Sequence, residues 1–121
     1  QRLSLYKKLA SCDSDEALLA LQEELIDRYG RLPEPARALV ETHRLRLLAE
    51  KLGIRKIDAS AESITLTFVP NPPLDPARLV ALLQRNRTRR MLGPQRLRIE
   101  VKTSNLEARV QALRQILREL A

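Results

Sequence analysis

Tryptophan is absent from this chain of 121 residues, and the aromatic residues are only Tyr6, Tyr29 and Phe68. Cysteine and histidine occur once each, as Cys12 and His43. These shortages exclude whole classes of chemistry. A lone cysteine cannot form an internal disulfide and suits a reducing, cytoplasmic setting. One cysteine and one histidine do not supply the ligand set of a zinc site. The three glycines, Gly30, Gly53 and Gly93, lie far apart, so no phosphate-cradling glycine loop can be assembled. A nucleophilic triad would need His43 as its base, but His43 falls on or beside the apolar stripe of a helix and reads as an edge-of-core residue. Cys12, with no histidine near it in sequence, reads as a small residue near a helix end. No apolar run approaches the roughly 18 residues that span a bilayer, so no membrane role is expected. The chain opens on Gln1 with no signal-peptide pattern after it, and is expected to be a piece of a longer protein.

What is present is leucine, alanine and arginine. Apolar residues make up 44% and charged residues 31%, a globular composition sized for one domain over residues 1–121. Net charge is +7, unevenly spread: residues 1–30 hold four basic and six acidic side chains, residues 31–121 eighteen basic and nine acidic. The first quarter is therefore acidic in a basic chain.

Periodicity predicts helices at about 2–10, 15–29, 33–52, 76–85 and 105–120, and strands at about 54–59, 63–69 and 96–102. In the first helix Leu5, Tyr6 and Leu9 share a side. Asp13 with Glu16 forms a capping box for the second, with Ser14 as an alternative cap. In that helix Leu18, Gln22, Leu25, Ile26 and Tyr29 gather toward the core, while Glu16, Ala20, Glu23, Glu24 and Asp27 gather on the opposite side. Gly30 suits the left-handed position that ends it, and Pro33 the first turn of the next helix. That helix turns Ala36, Leu39, Val40, His43, Leu47 and Ala49 inward and Arg37, Glu41, Arg44 and Lys51 outward, and Gly53 stops it. Residues 54–59 and 63–69 make a hairpin across Ser60–Glu62, with Ile64, Leu66 and Phe68 buried and Thr65 and Thr67 wet. A proline-rich loop leads to Asp75, a cap with Pro76 behind it, and a helix burying Leu79, Leu82 and Leu83. Met91 and Leu92 suit a short strand. Ser104 with Glu107 caps a last helix whose stripe is Leu106, Val110, Leu113, Leu117 and Leu120. Together these give an α+β fold, with helices on one face of a small antiparallel or mixed sheet of three to four strands.

No catalytic set emerges, because the paired carboxylates lie on a convex helix face rather than in a cleft that would shift their pKa values. Two binding readings remain. Arg85, Arg87, Arg89 and Arg90, with Arg96, Arg98 and Lys102, could neutralise nucleic-acid phosphates, although no aromatic accompanies them to stack on bases and they equally suit a solvated face. Glu23, Glu24 and Asp27 could meet a basic protein partner, or could merely support their helix through a Glu24–Arg28 pair.

Three segments decide between these at the level of family: R-L-S-L-Y-K-K-L-A from Arg2, E-L-I-D-R-Y-G-R-L-P from Glu24, and L-R-L-L-A-E-K-L-G-I-R-K-I from Leu45. As a set they resemble the C-terminal domain of the bacterial transcription-repair coupling factor family, with Tyr29 where phenylalanine is more usual. The likeness is loose from Pro70 to Arg90. The resemblance implies a parent ATPase, using ATP and Mg, that translocates on double-stranded DNA. That parent would remove stalled RNA polymerase and recruit nucleotide-excision repair. It implies that this domain packs on the parent's UvrB-like N-terminal module and masks the surface that binds UvrA. By the same resemblance Glu24 and Asp27 would meet arginines of that module, with Glu23 at the rim. Arg28 and Tyr29 would brace the helix against the turn set by Gly30 and Pro33. No cofactor is implied for the domain itself.

Overall fold

The computed structural model describes residues 2–121, and side chains from Ser4 onward. Five helices and four strands follow in order: α1 (Arg2–Ser11), α2 (Asp15–Tyr29), α3 (Glu34–Lys51), β1 (Ile54–Ala59), β2 (Ser63–Phe68), α4 (Pro76–Arg85), β3 (Arg89–Met91), β4 (Arg96–Glu100) and α5 (Leu106–Leu120). The fold is α+β, and all strand pairs are antiparallel. Two compact units are distinguished, residues 1–47 and 48–121, with the division inside α3. The boundary falls in continuous helix, and no linker composition marks it.

In residues 1–47 the core is built from Leu9, Cys12, Leu18, Leu21, Leu25, Leu32, Val40 and Leu47. The N-cap of α2 is Ser14, whose hydroxyl accepts from the Ala17 N–H at 3.1 Å. The Asp13–Glu16 box is not the cap used. The buried line of α2 is Leu18, Leu21 and Leu25, spaced three and four apart. Ile26 and Tyr29, expected inside, are 46% and 69% exposed, and Tyr6 on α1 is 47% exposed. The true stripe is centred between Leu18 and Leu21, which turns Ile26 outward, while Tyr29 extends past the end of the core. The Pro33 carbonyl accepts the first helical bond of α3, from Arg37 N–H at 3.0 Å. Pro33 is thus the residue before the helix, and Pro35 occupies its first turn. Arg44, expected outward, instead donates to Glu41 Oε2 and to Gln22 Oε1, each at 2.9 Å, tying α3 to α2.

Residues 48–121 carry a sheet in the order β1-β2-β4-β3. β2 is central, and Ile64, Leu66 and Phe68 on one of its faces are at most 2% exposed. Thr65 and Thr67, expected wet, are each 7% exposed. Both stand on the central strand with a neighbour on each side, Thr65 between Asp58 and Arg98 and Thr67 between Lys56 and Arg96. β3 begins at Arg89, two residues before the expected strand, and its ladder to β4 pairs Arg89 with Ile99 and Met91 with Leu97. The β4 ladder stops at Glu100, but Val101 N–H and Thr103 N–H go on to donate to the Glu62 and Ala61 carbonyls. Thr103 Oγ1 adds a bond to the Ser60 carbonyl at 3.1 Å, so the hairpin loop is held from outside. The α4 cap is Asp75, as expected, with Pro76 next. The α5 cap is Asn105, not Ser104. Its buried line is Ile116, Leu117 and Leu120, and Leu106 is 70% exposed because it stands in the first turn, ahead of the buried end.

Gly53 links α3 to the sheet. Its φ is +79°, and a Cβ there would lie 2.8 Å from Pro73 Cδ and 2.9 Å from Pro72 Cβ. The proline run therefore closes against the glycine that ends α3. The Gly53 carbonyl also accepts from Val69 N–H at 2.7 Å. Gly53→Ala combines backbone strain with a clash against stiff rings, and should lower unfolding stability by about 2–4 kcal/mol in chemical denaturation.

Candidate functional site

The three carboxylates singled out in the sequence stand on the outer side of α2. With Leu18, Leu21 and Leu25 buried, a step of 100° per residue places Glu23 and Asp27 nearest the outward pole and Glu24 at its flank. All three are exposed and make no hydrogen bond or ion pair among the described residues. The Glu24–Arg28 pair that would have reduced them to local helix support is not formed. On the other flank of Glu23 lie Leu19 and Ile26, 52% and 46% exposed. An apolar pair beside acidic groups was not foreseen, because Ile26 had been assigned to the core. The signal that could have found it is the spacing of Leu18, Leu21 and Leu25, which fits a helix face without Ile26.

The stretch that ends α2 is geometrically fixed. Gly30 has φ 78° and ψ −156°, a glycine-favouring region but not the left-handed helical one expected, and its N–H donates to the Ile26 carbonyl at 2.7 Å. Leu32 is buried and anchors the chain before Pro33. Arg28 and Tyr29 are both exposed.

The basic segment is divided by the fold. Arg85 closes α4 and Arg87 lies in the following turn, both exposed. Arg89 faces the apolar side of the sheet, in register with Ile99, and pairs with Glu119 of α5 at 2.5 Å. Its side chain is only 10% exposed. Arg90 faces the other side, beside Arg98, and is exposed. The four arginines do not form one patch.

The residues set aside for catalysis are engaged structurally. His43 Nε2 donates to the Cys12 carbonyl at 2.8 Å, which fixes the proton on that nitrogen. The Cys12 thiol is buried within reach of the Lys8 and Ala17 carbonyls. Burial, and then the charge of Asp13, push its pKa up, which suppresses the thiolate. Among the described residues no cluster of histidine, cysteine and carboxylate suited to a metal is present, and no helix is long and apolar enough to cross a membrane.

The sequence pattern of the TRCF domain family matches residues 1–79. The transcription-repair-coupling factor of Escherichia coli (strain K12) is 41% identical over 120 residues, which is 98% of this chain and 10% of that protein. That of Haemophilus influenzae is 32% identical over 121 residues, 99% of this chain and 11% of that protein. The chain thus spans about a tenth of the length of the curated relatives it matches. A crystal structure of the C-terminal domain of transcription-repair coupling factor superposes with a TM-score of 0.73 at 23% identity, covering 99% of this chain and 80% of that one. At that identity the likeness establishes the fold.

The Arg89–Glu119 pair has a measurable consequence. The bond from Arg89 holds the Glu119 carboxyl below its ordinary range, against the opposing effect of burial. A carboxylate depressed in the folded state stabilises above its unfolded pKa and loses that contribution as pH falls through the folded value. Glu119→Gln should cost about 1–2 kcal/mol at neutral pH, and the gap from the unsubstituted chain should close on acidification below the usual carboxylate range. Urea denaturation across pH checks both.

Proposed function

Because this chain belongs to the TRCF domain family, we propose that it is a non-catalytic regulatory docking domain of a DNA-translocating transcription-repair coupling ATPase. It packs on the parent's UvrB-like N-terminal module and masks the UvrA-binding surface until activation. The parent couples removal of stalled RNA polymerase to nucleotide excision repair in the cytoplasm, and ATP and Mg belong to its motor rather than to these residues. The observation that carries this reading is the outer side of α2. Three exposed carboxylates without partners lie beside exposed Leu19 and Ile26, on a helix whose end is fixed by Gly30 and Leu32.

Such a surface suits a partner that offers arginines around an apolar patch. Charged groups at an interface set partner choice and register, while the apolar centre excludes water and strengthens them. Glu24 and Asp27 are one helical turn apart, so one arginine cluster can engage both, with Glu23 at the rim. A contact of this kind biases a two-state equilibrium by about 1–3 kcal/mol, the usual scale of coupling between sites. Nucleic-acid binding through Arg85, Arg87, Arg89 and Arg90 is less favoured, since Arg89 is committed to Glu119.

Glu24→Arg with Asp27→Arg should leave the isolated domain folded, by circular dichroism and melting, because both positions are exposed. In the full-length protein the same pair should raise UvrA affinity about tenfold, corresponding to roughly 1.4 kcal/mol. Ile26→Ser should act in the same direction. Wild-type UvrA affinity together with a wild-type ATPase rate in the double variant would reduce the stripe to ordinary solvated surface.

A further inference from the structure

The docking reading leaves the chain's excess positive charge without a role. Residues 1–47 hold eight basic and eight acidic side chains, whereas residues 48–121 hold fourteen basic and seven acidic, so the whole net charge of +7 resides in the second unit. Strand register shows where part of it is displayed. Arg89 and its ion pair with Glu119 mark the face covered by α5, together with Leu97 and Ile99. The opposite face carries three rows. One runs Asp58, Thr65, Arg98, Arg90 across all four strands; the second runs Lys56, Thr67, Arg96; the third pairs Ser63 with Glu100, so the face holds four basic side chains against two acidic ones. Lys56, Asp58, Arg90, Arg96 and Glu100 are exposed, whereas Thr65 and Thr67 are buried and Arg98 is partly buried, so the charged side chains form the accessible layer of this face.

We propose that this open sheet face, centred on Arg90, Arg96 and Arg98, binds the phosphate backbone of nucleic acid. Three features carry the inference. First, the three guanidinium groups make no ion pair among the described residues, and the one nearby pair is Lys56 with Asp58 at 3.8 Å. Second, Arg98 Nε has no hydrogen-bond partner among the described residues, so its guanidinium is not committed to an acceptor of the chain itself. Third, the spacing is that of a repeating ligand. Arg90 and Arg98 are neighbours across one strand gap of about 5 Å, and Arg98 and Arg96 are two residues apart, about 7 Å along the strand.

The same face argues against a protein partner. Energetically dominant protein contacts centre on aromatic or apolar anchors, and the three rows contain none. Without aromatics the face also cannot stack on bases, so binding is to phosphate and independent of sequence. The site differs from the charge run in the sequence: it takes Arg90 from that run and excludes Arg85 and Arg89. It stands independently of the docking role of α2.

The test is fluorescence anisotropy of the chain with a labelled random-sequence duplex of about 20 base pairs, titrated between about 50 and 200 mM salt. Arg90→Gln, Arg96→Gln and Arg98→Gln together should weaken binding at least tenfold and reduce the slope of log affinity against log salt by about two to three. Arg78→Gln, Arg85→Gln and Arg87→Gln together remove the same charge from exposed positions elsewhere, and should change affinity less than twofold. Because Arg98 is partly buried, the double variant Arg90→Gln with Arg96→Gln guards against misfolding. It should keep the melting temperature of the unsubstituted chain and lose several-fold in affinity. Equal weakening by both triple variants would overturn the proposal in favour of diffuse charge. Binding to polyglutamate without binding to duplex would overturn it in favour of an acidic protein partner, and binding to neither would overturn it outright.

Discussion

Strand β2 is the constraint on which residues 48–121 depend. It has a neighbour on each side, so every second residue must be compatible with a covered face and its alternates with the strands beside it. Ile64, Leu66 and Phe68 meet the first demand, and each such side chain contributes about 1.5–3 kcal/mol by leaving water. Thr65 and Thr67 meet the second with short β-branched side chains between flanking charged residues. Slipping β2 by one residue would place threonines in the core and three large apolar groups among guanidinium groups. Register is therefore fixed by chemistry on both faces, and with it the positions of Arg96, Arg98 and Arg90.

Much of this architecture was legible in the sequence. The apolar alternation of Ile64, Leu66 and Phe68 and of Leu97 and Ile99, the glycines that end α2 and α3, and Asp75 before Pro76 each report a local rule that tertiary structure left in place. The errors concern apolar residues. Ile26, Tyr29 and Leu106 are placed on the inner side by helical angle, and all are exposed: Ile26 because the buried stripe is centred between Leu18 and Leu21, Tyr29 and Leu106 because a helix end can run beyond the layer it packs on. Angle says which side a residue faces, but not whether anything is there to cover it. Arg44 shows the converse: a charged residue read as outward found Gln22 and Glu41 close enough to hold it.

The candidate docking site was legible in its charge and not in its apolar part. Glu23, Glu24 and Asp27 are exposed on the side to which helical angle assigns them, where their charges keep their hydration. Leu19 and Ile26 have no such compulsion to be outside. Their exposure sets an apolar pair beside the acidic stripe, and the proposed docking role rests on that combination. Carboxylates alone suit water as well as they suit a partner, whereas carboxylates bordering exposed aliphatic groups suit a partner better.

The basic segment carries the last lesson, because a run of charge along the chain is not a surface. Arg89 and Arg90 are adjacent in sequence and chemically identical, yet a strand sends successive side chains to opposite faces. Arg89 is drawn under α5, where Glu119 neutralises it and lowers the desolvation cost of placing a guanidinium at the core edge. Arg90 is left outside, joined not to its sequence neighbours but to Arg98 across the ladder. The electrostatic unit is therefore set by strand parity and register, and it gathers residues from β3 and β4 that no linear window would group. Reading charge in this chain means reading the sheet first.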